Sequence, residues 1–81
     1  MPVTTRLRDL LGEVRRTRVA YDLELHRRRP EAYQVNATRL AVLMALEDYA
    51  SALGQQNLPV PPKMHRDLKM LRLLCAQTRA V

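Results

Sequence analysis

Residues 40–54 read LAVLMALEDYASALG, and this stretch decides the fold. At about 100° per residue, Leu40, Val42, Leu43, Met44, Leu46, Tyr49, Ala50 and Leu53 cover more than half of a helix circumference. A helix that is apolar on most sides sits at the centre of its fold. Gly54 follows the last apolar position and reads as a left-handed C-cap. The start of this helix has two readings. Pro30-Glu31 opens it, since proline suits the first helical position, or Asn36 caps it and the residues before are a connection. The preferred reading is one continuous helix from about 30 to about 53, bent near Asn36.

On the N-terminal side, the chain reads as a long helix over about 5–28, with Thr4 or Thr5 as its cap. Leu7, Leu11, Val14, Arg18, Tyr21 and Leu25 share one face at alternating spacings of four and three, and Leu10 widens the stripe. Glu13 with Arg16, and Glu24 with Arg27 and Arg28, are acid-first surface pairs. His26 to Arg29 would occupy the last turn, where cations suit the negative end of the macrodipole, and Pro30 ends it. On the C-terminal side, Pro59, Pro61 and Pro62 make 55–62 a stiff loop. A third helix follows over about 62–78, with Met64, Leu68, Leu71, Cys75 and Thr78 in a stripe and Leu74 widening it. No alternating strand pattern and no internal repeat occurs. The expectation is an all-α fold in one domain, a three-helix bundle or helical hairpin with a long first helix, dimerising. Leu43 and Leu46 lead the expected core, with Leu7, Val14, Leu68 and Leu71 around them.

A chain of 81 residues buries only about 60–65% of its unfolded surface, so its core is thin. Small scaffolds add a disulfide, a metal or another subunit. Cys75 is the one cysteine, which excludes an internal disulfide and suits a reducing compartment. His26, His65 and Cys75 show no ligand-pair spacing, so no metal is expected. No apolar leader core is visible near Met1, and the longest apolar run, 40–46, is too short to cross a bilayer. The expected location is cytoplasmic, without membrane contact. Association with another protein, or with a second copy, is the remaining staple.

The chemistry of catalysis is thinly represented. Cys75 and His65 are ten residues, about 15 Å, apart on one expected helix and face different ways, so Cys75 reads as a buried structural thiol. Glu47 and Asp48 are adjacent and diverge by about 100°. No glycine-rich phosphate loop is present. The chain is therefore expected not to be an enzyme, and to need no cofactor and no small-molecule substrate. Pro59-Val60-Pro61-Pro62 has the form of a proline-rich ligand, but is better explained as the entry to the third helix.

Charge is the strongest compositional signal. Arginine and lysine number 14 against eight acids, for a net charge of +6. Residues 1–30 carry +4, 31–54 carry −2 and 55–81 carry +4, so an apolar, slightly acidic centre lies between basic flanks. Arg15, Arg16, Arg27, Arg28 and Arg29 are candidate phosphate contacts for a nucleic acid. Against that reading, the eight-residue, three-proline connection is too long for a helix-turn-helix, and stacking aromatics are scarce.

The first helix carries a second apolar side: Val19 and Leu23 lie one turn apart, off the main stripe. Either the second helix wraps across them, or they belong to an interface. The second is the expectation. The candidate partner surface is Arg18, Val19, Tyr21, Leu23 and Leu25, on a helix expected to overhang the shorter third one. Arg18, within the apolar stripe, should reach solvent or meet Glu47, Asp48 or a partner's carboxylate. The leading function is that of a small adaptor or regulatory protein acting through protein–protein contact, as a homodimer. Nucleic-acid binding is the alternative.

Overall fold

A computed structural model describes residues 3–79, with side chains from 6 to 77. Three helices follow in order: α1 (Val3–Leu25), α2 (Ala32–Gln55) and α3 (Pro62–Arg79). No strand occurs among the described residues. The all-α expectation holds, and α2 is the central helix. The chain packs as α1 up, α2 down and α3 up. Tyr21 thus meets Arg39 at one end of the α1–α2 pair, and Arg72 meets Glu47 across α2 and α3.

Leu46 is 0% exposed and anchors the core with Val14, Val42, Leu43, Ala45, Leu68 and Leu71. Tyr21, Leu40, Tyr49, Ala50, Met64 and Cys75 pack around it, partly buried. Ala45 and Ala52 are also buried. They lie seven residues apart on one face of α2, where small side chains let another backbone come close. α1 packs against α2 more intimately than α3 does. Among the described residues no Cα of α1 lies within 8 Å of a Cα of α3. Those two helices meet only through side chains. The resulting body is elongated, 42 × 22 × 19 Å, with a radius of gyration of 13.8 Å. A compact globule of this length would have about 12 Å.

Several boundaries and burials differ from the expectations. α1 begins at Val3, so Thr4 and Thr5 lie inside the helix rather than before it, and their side chains lie outside the described set, as does Thr78. α1 ends at Leu25, three residues early. His26 to Arg29 are exposed, and nothing they could bury compensates for ordering a further, cationic turn beside Pro30. The His26 ring instead sits with Nδ1 2.8 Å from the Asp22 carbonyl, at the frayed helix end.

α2 is continuous through Asn36, which bonds to Arg39 rather than capping. It also runs past Gly54, so Gly54 is not the cap. Asn57 is the left-handed residue, at φ 57°. The Asn57 N–H donates to the Gly54 carbonyl at 3.0 Å and the Leu58 N–H to the Leu53 carbonyl at 2.9 Å. Those two bonds make a Schellman cap, and asparagine is the residue besides glycine that tolerates its backbone. Pro62 opens α3 as its first residue, where a missing N–H costs nothing.

Leu7 is half-buried, not core. Thr17, outside the expected stripe, is only 4% exposed. Its hydroxyl donates back to the Glu13 and Val14 carbonyls at 2.9 and 3.0 Å, which leaves its methyl free to pack. The core-facing line of α1 therefore runs Val14–Thr17–Tyr21, and Arg18 lies on its edge.

Cys75 is half-buried, correcting its reading as a fully buried thiol. It lines an open cleft of about 520 Å³ between α2 and α3, with Leu40, Met44 and Arg72. A thiol reagent should therefore label Cys75 measurably in the native protein, more slowly than in denaturant. Labelling that occurs only after unfolding would place the thiol deeper than this cleft.

Candidate interaction surface

α1 turns one face to the core, and its opposite face carries two large aliphatic side chains. Val19 is 60% exposed and Leu23 64%. They are one turn apart and α2 does not wrap over them. The reason is geometric. α2 occupies the Val14–Thr17–Tyr21 side of α1, α3 meets its Arg18 edge, and no third element is left for the far side. The expected overhang lies elsewhere. Arg18 sits level with Asp67 of α3. Fifteen residues of α1 precede Arg18, while only five of α3 precede Asp67. The unmatched end of α1 is thus its N-terminal one. There Leu7 and Leu10 line an open pocket of about 440 Å³ with Ala52 and Gln55 of α2.

The other three residues of the candidate surface behave differently. Arg18 donates through Nη2 to Asp67 Oδ2 at 2.7 Å, so its acid is Asp67 and neither Glu47 nor Asp48. Those two lie on other sides of α2, and Glu47 stands 3.7 Å from Arg72. Tyr21 is half-buried against the core, and its hydroxyl accepts a hydrogen bond from Arg39 Nε at 3.0 Å. The Arg39 guanidinium lies 5.8 Å from the Tyr21 ring centroid. Both residues hold this chain's own helices together. Leu25 is exposed at the end of α1. The open apolar element is therefore Val19 and Leu23, with Leu25 at its margin.

Removing the Tyr21 hydroxyl tests that division. Tyr21→Phe keeps the ring and strips Arg39 of its acceptor. The expected loss is about 0.5–1.5 kcal/mol, seen as a melting temperature lower by several degrees. An unchanged melting temperature would show that Tyr21 is not part of the α1–α2 seam.

The arginines around the surface are unequally available. Arg16 pairs with Glu13, Nε lying 3.1 Å from Oε2, and its other nitrogen also reaches this carboxylate. The hydrogen bond from Arg16 holds the Glu13 carboxyl below its ordinary range and raises the guanidinium in turn. A depressed carboxyl favours the pair above its unfolded titration and loses it as the pH falls through the lowered value. Glu24 Oε2 is screened from solvent and 2.9 Å from Arg27 Nε, near enough for an ion pair but not aligned for a hydrogen bond. Arg15, Arg28 and Arg29 are exposed and have no carboxylate partner among the described residues. Of the five candidate phosphate contacts, two are thus engaged. Arg28 and Arg29 lie beyond the end of α1, and that end is itself about 15 Å along the helix axis from Arg15.

Further exposed large apolar side chains lie on the outer side of α3, Met70 and Leu73, and on α2, Tyr33 and Met44. No group of three metal-binding side chains comes together among the described residues, and no helix of the described chain is long and apolar enough to cross a membrane. Set against family models, curated proteins and solved structures, the chain matches none of them.

Proposed function

We propose that this chain is a small non-catalytic adaptor or regulator of the cytoplasm that binds another protein through the outer face of α1. The observation that carries this reading is the exposure of Val19 and Leu23, one turn apart on the side of α1 that faces away from α2 and α3. Contiguous apolar surface of this kind is a common mark of a binding site in small proteins. The lone cysteine supports a reducing compartment.

Two protein occupants suit such a face, a second copy of the chain and a different protein. The net charge of +6, with Arg15 and Arg16 beside Val19, weighs toward a different protein. A nucleic acid is the second reading, favoured by the unpaired Arg15, Arg28 and Arg29. It leaves the exposed aliphatics without a use.

The test is a photo-cross-linker placed at Leu23 in the native host, with the same group at the exposed Ser51 of α2 as control. A discrete adduct from position 23 and none from position 51 is the expected result. Equal cross-linking at both positions would sink the reading, and an adduct weighing two chains would assign the face to self-association.

A further inference from the structure

Leu11, Arg15, Val19 and Leu23 form a single i, i+4 row on α1. Such a row slants across a helix by about 40° per turn and is the ridge along which helices pack. This one begins beside α3. Leu11 and Arg15 share an open groove of about 280 Å³ with Pro61, Lys63 and Met64. The row then winds outward to Val19 and Leu23, covering twelve residues or about 18 Å. We infer that this row, together with the groove at its start, is the seat of an acidic amphipathic helix of the partner protein. The inference rests on the reading of α1 as a protein-binding face and adds the chemistry of what binds there.

Three observations select this occupant. The groove between α1 and α3 is open to solvent at Leu11, Arg15, Pro61, Lys63 and Met64, so a ridge of side chains can enter it from outside. Arg15 and Lys63 stand on opposite walls of that groove, exposed and without a carboxylate among the described residues. Arg18, in the same groove, already has Asp67. Arg15 within the row and Lys63 across the groove from it call for carboxylates beside an apolar stripe, the helix-in-groove mode with complementary charge. A second copy brings +6 against +6. A phosphate backbone would use Arg15 and Lys63 but would place charge on Val19 and Leu23.

Fluorescence anisotropy with the full chain tests the assignment. One probe is a helical peptide of about 18 residues, long enough to cover the row, with leucines on one stripe and glutamates on both flanks. A second has lysine in place of every glutamate, and a third is a DNA duplex. The glutamate peptide should bind, and the lysine peptide should bind at least about tenfold more weakly. Arg15→Glu with Lys63→Glu, both at exposed sites, should reverse that order with the far-ultraviolet spectrum unchanged. Val19→Glu with Leu23→Glu should abolish binding of the glutamate peptide. Equal binding of the two peptides would overturn the acidic partner while leaving the apolar face standing. Binding indifferent to positions 19 and 23 would overturn both. A glutamate peptide that fails to bind, a tighter complex with the duplex, or a parent chain that sediments as a dimer would each assign the surface away from an acidic helix.

Discussion

Leu46→Ala is expected to remove about 2–5 kcal/mol of stability and to lower the melting temperature by roughly 10–30 °C. Among the described residues Leu46 is the most completely buried side chain, at 0% exposure. Its side chain lies where Val14 of α1, its own neighbours Val42 and Leu43, and Leu68 and Leu71 of α3 converge. Truncation withdraws a branched side chain from contact with all three helices at once. The space is lined from all three helices, and one helix cannot close on it alone without shifting against the other two. The cost should therefore fall in the upper part of the range for such cavities. For 81 residues a total stability of about 4–12 kcal/mol is ordinary, so the variant should be largely unfolded at physiological temperature if the parent lies in the lower half of that span. Thermal and urea unfolding followed by circular dichroism would measure this. A variant melting within a few degrees of the parent would mean that α2 is not the hub of the fold.

The Val19→Glu, Leu23→Glu double variant should give the opposite pattern, with folding retained and binding lost. Both side chains are more than half exposed, so glutamate at either site remains solvated and removes little contact area. Each glutamate costs little helix propensity, and the one at position 19 comes within a turn of Arg15 and Arg16. The melting temperature should stay within a few degrees of the parent. At the proposed interface the same change puts two carboxylates where aliphatic anchors should be buried against an acidic helix. Truncating a central interface residue commonly costs 2 kcal/mol or more, and unpaired charge adds to that, so affinity should fall by a factor of about a hundred or more. Sedimentation and anisotropy with the glutamate-flanked peptide report the loss, and circular dichroism reports the fold. If the double variant unfolds, Val19 and Leu23 belong to the core and the outer face of α1 is not the binding surface.

Much of the architecture was legible in the residues. The long apolar wrap of 40–54 placed α2 at the centre, because a helix apolar over more than half of its circumference has to pack on more than one side. The stripe residues Val14, Leu68 and Leu71 are buried as their spacing requires. Pro62 was readable as a helix start because its fixed φ and missing N–H suit that position alone. The candidate surface was legible in part. The second apolar side of α1 follows from periodicity, but periodicity cannot say which of two faces the other helices will choose.

Composition and spacing determined the number of helices, their order, the central one and the apolar character of two sides of α1, since these depend on each helix's own periodicity. The tertiary structure alone decided the rest. It closed α2 with Asn57 rather than Gly54, gave Arg18 to Asp67 and Tyr21 to Arg39, buried Thr17, and left Cys75 beside an open cleft. It also put the unmatched end of α1 at its N-terminus and opened the groove between α1 and α3. Each of these depends on how far one helix slides along another and on the angle at which they meet. Those quantities are set by the joint packing of side chains from separate segments, such as Val14, Leu46 and Leu68, and no single segment's pattern carries them.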